Sequence, residues 1–355
     1  MGARPLKRAI DQHVLAPLAA TLVEHRFPEG DQFLFVRSNG KAIEVEFVDP
    51  DAETREAEPS PDPEPVEAAS LSAMILRPRG SAKEQAALTQ CWAEVETQLS
   101  SEPWTKLEEQ LNAESGEAGF WSRPDRHAVL ARRALMDRVR EAARTAAHLK
   151  LRLDRSGTRT AQASRELVAR LALQLHLVQQ GIADALQGSP IDVLLMAEPA
   201  LDGSADPPVS ADWCGRLTAM YRQWATRRHM QIDEFAPSKR VGPTVLQVSG
   251  FGAFRTLEAE AGLHILEDTQ DEGRRTVARV RAVAGPWEEP RPADAYRDFT
   301  RLLRASGESS SRVRRYRSGA SPLVRDLKSG WRSGRLAAVL AGDFDLIGML
   351  QRRPE

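Results

Sequence analysis

The sequence has little cysteine, and it has no long apolar run. Cys91 and Cys214 are its two cysteines, and no Cys-x-x-Cys spacing occurs. A disulfide framework and a structural zinc site are therefore disfavoured, and a reducing cytosol fits. No apolar run approaches the roughly 18 residues that a membrane span requires. Near the N-terminus, Asp11, His13 and Pro17 interrupt the apolar run of a signal peptide. These absences predict a cytoplasmic protein with no membrane span and no metal site.

The glycine-rich motifs of nucleotide chemistry are also missing. No Gly-x-x-x-x-Gly-Lys-[Ser/Thr] loop occurs, so no phosphate cradle for ATP can be assigned. Gly250-x-Gly252 lacks the third glycine of a dinucleotide-binding fingerprint. There is no Gly-Gly pair anywhere in the chain. We therefore expect no cofactor.

Basic and acidic residues are nearly equal in number, but they are unevenly distributed along the chain. The net charge is −1, so any affinity for nucleic acid must come from a local patch. Residues 301–335 carry ten basic and two acidic side chains, enough to neutralise several phosphates. Residues 49–67 carry eight acidic side chains and one arginine among many prolines, which is typical of an extended linker. We place this linker at residues 49–80.

Residues 1–48 are predicted to form a small unit of one helix and a β-hairpin. The hairpin strands, Phe33–Val36 and Ala42–Val48, flank Ser38-Asn39-Gly40. Apolar residues four apart predict the amphipathic helix: Leu6, Ile10, Val14, Leu18 and Leu22. With its opening Gly2-Ala3-Arg4, this unit resembles the C-terminal small subdomain of Clp-type AAA+ unfoldases. The resemblance implies that Arg4 is a nucleotide-sensor arginine. Because the P-loop is missing, we interpret Arg4 as vestigial.

Residues 81–187 have the pattern of a helical domain. Trp92, Val95 and Leu99 repeat at three and four residues, and two long amphipathic helices follow at 129–153 and 167–186. Trp92 and Trp104 are interpreted as helix-packing residues. The pattern alone predicts a helical hairpin or a coiled coil.

Residues 188–286 alternate between strand and helix patterns, which is typical of a mixed α/β domain. Strands are predicted at Ile191–Met196 and Thr244–Ser249, and a helix is predicted with Ser210 as its N-cap. Apolar spacing from Phe254 to Leu266 predicts a further helix. A strand with one cationic face is predicted up to Val283.

The order of motifs in this region resembles the core domain of bacterial class-I peptide chain release factors. The motifs are Arg-Thr-Leu-Glu, then Ala-Gly-Leu-His264, an acidic loop and Gly-Arg274-Arg275-Thr276. Residues 81–187 resemble the helical first domain of that family, and residues 312–355 resemble its C-terminal tail. Residues 287–311 are interpreted as a connector. The fold class expected is thus α+β multidomain: an N-terminal helix plus β-hairpin subdomain, a helical-hairpin domain and an α/β core domain with a basic tail.

The resemblance also implies which side chains contact RNA. Arginine presents a planar fork that binds phosphate oxygens bidentately. The predicted RNA-binding or ribosome-binding residues are Arg274, Arg275, Arg279, Arg312, Arg314, Arg315 and Arg325.

Two departures from the family pattern decide the predicted mechanism. In the family, a domain between core and tail carries a Gly-Gly-Gln tripeptide that acts at the peptidyl-tRNA ester; here the connector is too short for that domain. Where the UGA-reading class has Ser-Pro-Phe, this chain has the acidic stretch 267–271, which would repel mRNA phosphates. We therefore expect no catalytic residues and no stop-codon reading.

Two candidate reactive side chains have alternative interpretations. His264 is either an acid/base group or a structural histidine at a helix end, and we favour the structural role. Cys214 follows Trp213 on an apolar helix face, so we expect it to pack in the core and not to act as a nucleophile.

Three functions are compatible with these observations. The favoured one is a non-catalytic release-factor-like protein that binds the ribosome or RNA. The second is an adaptor for Clp-type AAA+ subunits that docks through residues 1–48. The third is a peptidyl-tRNA hydrolase that uses another glutamine, which we disfavour.

Overall fold

The computed structural model describes residues 33–38, 43–48, 70–157, 164–200, 206–237, 242–268, 275–285, 295–307, 309, 311–319 and 321–350. Within the first 48 residues it contains an antiparallel hairpin of β1 (Phe33–Ser38) and β2 (Ile43–Val48), as the turn sequence predicts. The predicted N-terminal helix, Arg4 and Arg274 lie outside the described residues.

Five helices pack around one apolar core to form the helical domain. Helix α2 begins with a capping box, in which Ser81 and Glu84 each accept a hydrogen bond from the other's backbone N–H. Trp104, Leu88 and Leu171 are fully buried in this core. The helices are α1 (Leu71–Leu76), α2 (Ala82–Leu99), α3 (Glu102–Ser115), α4 (Arg126–Gly157) and α5 (Arg165–Gln187).

Helix α1 corrects the predicted linker. Met74 is 1% exposed and belongs to the core of the helical domain, and α1 packs against α5. Because its apolar residues are buried, this segment is part of the bundle. The prediction that the linker extends to residue 80 was therefore wrong.

The rest of the described chain is built on an eight-stranded sheet in the order β10-β9-β8-β6-β7-β3-β5-β4. Every neighbouring pair is antiparallel except β6 and β8, which are parallel. The predicted tail thus contributes strands to the same sheet as the predicted core domain. The strands are β3 (Asp192–Pro199), β4 (Gln231–Phe235), β5 (Val245–Ser249), β6 (Gly262–Asp268), β7 (Arg275–Ala284), β8 (Arg312–Ser318), β9 (Leu323–Asp326) and β10 (Arg332–Ser333).

One face of the sheet is covered along its length, and the other is covered at one end. Helix α6 (Pro207–Arg227) and the C-terminal helix α9 (Phe344–Leu350) pack on the first face around a core that includes Trp213, Tyr221 and Trp224. On the second face, helix α8 (Ala295–Ala305) packs against β3, β5 and β7.

Helix α8 falls in the segment predicted as a polar connector. Phe299 is 4% exposed and Leu303 is fully buried against the sheet residues Leu194 and Met196. The connector prediction missed these apolar positions because polar and arginine residues surround them. The described part of the segment is therefore a packed helix.

Two helix boundaries differ from their predictions. Helix α6 begins at Pro207 behind Asp206, not at Ser210, because two prolines fit the first turn, where backbone N–H groups have no helical partner. Helix α7 (Ala253–Glu258) is short, and β6 follows it from Gly262 at φ +140. The helix predicted through Leu266 was therefore wrong, since its second half is a strand.

The helical domain and the sheet are joined by a buried carboxylate. Asp184 on α5 is fully buried and accepts hydrogen bonds from Gly252 N at 2.6 Å and Arg255 Nε at 2.7 Å. Gly252 has φ +73, a conformation that glycine adopts without steric cost and that lets it cap α7. Arg255 also donates to the Gln180 carbonyl at 2.9 Å. These bonds fix α7 against α5.

Candidate functional site

The predicted RNA-binding residue Arg314 lies in the protein core. Its side chain is 3% exposed and forms ion pairs with Glu260 at 2.7 Å and Asp326 at 3.2 Å. Its guanidinium also lies over the rings of Trp331 and Phe344. Strand alternation after the register shift at the start of β8 explains this position, because Arg314 lies on the same face of the strand as Tyr316, which packs against Trp213 of α6. The prediction that Arg314 contacts RNA was therefore wrong.

His264 belongs to the same buried cluster. Its ring nitrogens lie 3.0 Å from Tyr316 Oη and 2.9 Å from the Glu260 carbonyl oxygen. Tyr221 Oη donates to Glu260 Oε2 at 3.2 Å. Burial, followed by the charge of Arg314, lowers the pKa of His264 to about 3. The imidazole is therefore neutral near pH 7. Because both of its ring nitrogens have hydrogen-bond partners inside the protein, we assign it a structural role. It sits in mid-strand, however, not at a helix end as expected.

The carboxylates of this cluster respond differently to their surroundings. Burial raises the pKa of Glu260 above its usual range, although Arg314 opposes this. Burial would also raise the pKa of Asp326, but Arg314 and hydrogen bonds from Ser329 hold it below its usual range. Because Arg314 is shared between them, both acids depend on the same cation. The cluster fixes β8 and β9 to the segment before β6.

Arg315 and Arg317 of the same strand belong to a different surface. Arg315 and Arg317 alternate with Arg314 and Tyr316, so they point to the face of the sheet that α6 does not cover. Cross-strand register extends this surface, because Arg325 is opposite Arg315 and Arg332 is opposite Arg325.

Strand β7 adds two more arginines on the other side of β6. Arg275 is opposite Glu267, and Arg279 is opposite Leu263. We call this surface the arginine face. Its six arginines and one glutamate give it a formal charge of +5. The arginines are Arg275, Arg279, Arg315, Arg317, Arg325 and Arg332.

Aliphatic residues form the floor of the arginine face. Ile265 is 7% exposed and lies in register between Arg315 and Val277. Helix α8 packs farther along, on β3, β5 and β7, where Arg281 pairs with Glu198 at 2.6 Å. Among the described residues of the arginine face there is no aromatic side chain. The surface therefore offers cations and aliphatic groups to a ligand.

Glu267 lies in the middle of the arginine face. Its carboxylate forms ion pairs with Arg275 at 3.1 Å and Arg315 at 3.5 Å. Arg317 is opposite Glu267 in the register of β6 and β8. The side chain of Arg275 is 62% exposed and that of Arg315 is 36% exposed, so both guanidinium groups remain accessible to solvent.

The structure divides the predicted binding residues into four groups. Four of them, Arg275, Arg279, Arg315 and Arg325, meet on the arginine face, whereas Arg314 is buried. Arg312 is exposed at the start of β8, and Arg274 lies outside the described residues.

Sequence reasoning missed two arginines of this face. Arg317 and Arg332 lie within the basic segment 301–335, but no family motif marks them. Strand alternation from Arg315 could have identified Arg317, because the two are separated by one residue. Arg332 required the pairing of β9 with β10, a long-range contact.

The described residues contain neither a cluster of metal ligands nor a reactive thiol. No group of three or more His, Cys, Asp or Glu side chains comes together there in a way that could hold a metal ion. Burial raises the pKa of the Cys214 thiol to about 12, so it stays protonated and packs in the core. In the described part of the chain, no helix has the length and apolarity to cross a bilayer.

Comparison with known proteins gives two family matches. Residues 105–276 match the PCRF domain, and residues 1–35 match the C-terminal, D2-small domain, of ClpB protein. Among solved structures, RF2 of Thermus thermophilus matches with 17% sequence identity and a TM-score of 0.34, over 69% of this chain and 95% of that chain. No curated protein sequence matches the chain. The PCRF match shows that residues 105–276, just under half of the chain, are similar to the PCRF domain of release factors.

Proposed function

We propose that this protein binds the ribosome through RNA phosphates without catalysing peptide release. The observation that carries the proposal is the arginine face, which concentrates six arginines on one side of a rigid sheet in a chain of net charge −1. Its setting in a release-factor-like protein makes ribosomal RNA the favoured partner. The compartment that this function requires is the cytoplasm.

The chemistry of the face favours backbone recognition over base recognition. Guanidinium groups bind phosphate oxygens bidentately, and contacts to phosphate fix position without reading sequence. Proteins that grip single strands usually add aromatic side chains for base stacking, and the described residues of the face supply none. Duplex segments of RNA, which proteins recognise by shape and backbone, fit this surface better.

The absence of catalysis is argued from the sequence. It contains no Gly-Gly pair, and the family's Gly-Gly-Gln relies on two glycines for a backbone shape that other residues do not adopt. At the position of the codon-reading tripeptide, Glu267 pairs with arginines of the protein itself. We therefore propose that ester hydrolysis and stop-codon reading are both lost.

Charge reversal on the arginine face tests the binding proposal. We expect Arg315→Glu combined with Arg325→Glu to abolish co-sedimentation with ribosomes and to weaken binding to an RNA hairpin by at least about tenfold, because two phosphate contacts become repulsions. The matched control is Arg144→Glu with Arg170→Glu, which changes the same charge at exposed positions of the helical domain. For the unmodified protein, log Kobs should fall with log salt with a slope of about −3 to −5.

Two results would contradict the binding proposal. One is that the unmodified protein neither co-sediments with ribosomes nor binds RNA at low salt. The other is that the control pair weakens binding as much as the pair on the arginine face. A peptide-release assay with each stop codon tests the catalytic part separately, and turnover above background would overturn it.

A second candidate function rests on the match of residues 1–35 to the ClpB small domain. In this proposal the N-terminal unit docks onto Clp-type AAA+ subunits and links a ribosome-bound protein to quality control. Deletion of residues 1–48 should then abolish pull-down of the AAA+ hexamer while ribosome binding is retained. Pull-down that survives the deletion would dispose of this candidate.

A further inference from the structure

Glu267 is the acidic member among the described residues of the arginine face, and it takes part in neither the buried cluster nor the contacts between α5 and α7. It lies on the central strand of the arginine face, and arginines on both neighbouring strands are opposite it: Arg275 on β7 and Arg317 on β8. Its carboxylate contacts Arg275 and Arg315. A carboxylate thus occupies the position where converging guanidinium groups would hold an external anion.

We propose that Glu267 is a built-in competitor, whose carboxylate occupies a phosphate site between Arg275 and Arg315 until RNA displaces it. This inference deepens the proposed function and rests on it. It names RNA phosphate as the group bound at this position and the side chain of Glu267 as the group that regulates access.

The strength of the ion pairs is consistent with displacement. The side chain of Arg275 is mostly exposed and that of Arg315 is about one-third exposed, whereas that of Glu267 is 19% exposed, so solvent and salt screen these pairs from the arginine side. A backbone phosphate of RNA carries the same single negative charge as a carboxylate, and its oxygens can accept from both arginine forks. Several neighbouring phosphates on one RNA strand can contact several arginines of the face at the same time, whereas Glu267 offers a single carboxylate.

Glu267 competes with RNA phosphate only for the arginines in the centre of the arginine face. Arg325 and Arg332 lie one and two strands beyond Arg315, away from the carboxylate. RNA can therefore engage the β9 and β10 edge of the face first and reach Arg315 and Arg275 afterwards. Removing the carboxylate should strengthen binding and add phosphate contacts in the centre of the face.

Glu267→Gln tests this inference with a labelled RNA hairpin, by fluorescence anisotropy over about 50 to 200 mM salt. We expect about three- to tenfold tighter binding and a salt slope steeper by about one unit, since an additional phosphate is neutralised. The matched control is Glu141→Gln, which removes the same charge from an exposed position on α4 that pairs with Arg144. In a background of Arg275→Ala and Arg315→Ala, Glu267→Gln should no longer increase affinity.

The outcomes separate this inference from the proposed function. If the unmodified protein binds RNA and Glu267→Gln binds no more tightly than Glu141→Gln, the competitor role is overturned while the proposed function stands. The same conclusion follows if Glu267→Gln lowers the Tm without raising affinity, because the carboxylate then serves only to relieve repulsion among the arginines. If no variant binds RNA at any salt concentration, both the proposed function and the inference fall.

Discussion

Arg314 and Arg315 are neighbours in the sequence, but the structure gives them opposite environments. Arg314 is 2% exposed between two carboxylates, and Arg315 lies on the arginine face. A buried ion pair stabilises the fold little relative to an apolar replacement, but loss of one partner leaves an uncompensated charge. The two arginines should therefore differ sharply in their effects on stability.

Alanine substitution at these two positions measures that difference. We expect Arg314→Ala to lower the free energy of unfolding by about 3–5 kcal/mol, because Glu260 and Asp326 are left without their cation. Arg315→Ala should change it by no more than about 1 kcal/mol. Urea unfolding followed by circular dichroism gives both values. Equal losses for the two variants would contradict the assignment of Arg314 to the core.

His264 provides a pH-dependent test of the same cluster. Burial lowers its folded-state pKa to about 3 from the ordinary value of 6.5, so the unfolded chain binds the proton more tightly. The stability that depends on neutral His264 is complete above about pH 6.5 and is lost as the pH falls toward about 3, at up to about 1.4 kcal/mol per pH unit.

We therefore compare wild type with His264→Gln at about pH 7.5 and about pH 5.5. Wild type should lose about 1.4 kcal/mol more than the variant over this interval, since glutamine does not titrate. Titration of His176 and the carboxylates is common to both proteins and cancels in the comparison. Parallel losses in the two proteins would show that His264 is protonated in the fold.

At the scale of secondary-structure elements, the contact between α5 and α7 determines how the helical domain meets the sheet. Burial raises the pKa of Asp184, while the N–H of Gly252 and the guanidinium of Arg255 stabilise its charged form. The side chain of Arg255 is 31% exposed, so water can partly replace its lost partner. Asp184 thus acts as an anchor of moderate strength between two elements.

Asp184→Ala should cost about 1–3 kcal/mol, because a buried N–H loses its acceptor and Arg255 loses its anion. Hydrogen exchange measured by mass spectrometry should show faster exchange at Gly252 and in the first turn of α7, with the interior of α5 unchanged. The control is Asp154→Ala, which removes an exposed carboxylate from α4. Unchanged exchange at Gly252 would contradict the anchoring role.

Element types were predictable from the sequence wherever periodicity and length agreed. The long helices α4 and α5 and the strands β3 and β5 follow their apolar patterns. The segment after α7 was misassigned because Ala261 and Ile265 continue the helical apolar spacing of Leu257 by coincidence, whereas pairing in the sheet determines the conformation of this segment. Helix α8 was missed because two buried residues among arginines give a weak signal.

At the scale of the whole molecule, the candidate site could be predicted only in part. The sequence indicated which segments are rich in arginine, and alternation along β7 indicated one cationic face. It could not indicate that β8 joins the sheet beside β6, since that pairing is parallel and distant along the chain. Without this pairing, Arg314 and Arg315 have the same predicted environment, and Glu267 has no visible arginine partner on β8.

The parallel pairing of β6 with β8 has a consequence for biosynthesis. Leu263 is translated well before its partner Arg312, and β8 must reach the sheet before Glu260 can meet Arg314. Until then, a nascent chain leaves one edge of β6 open, which invites association with other chains. The sheet is therefore complete only after β8 has been synthesised and has paired with β6. A polypeptide truncated before β8 would keep this edge open and would be a substrate for proteolysis.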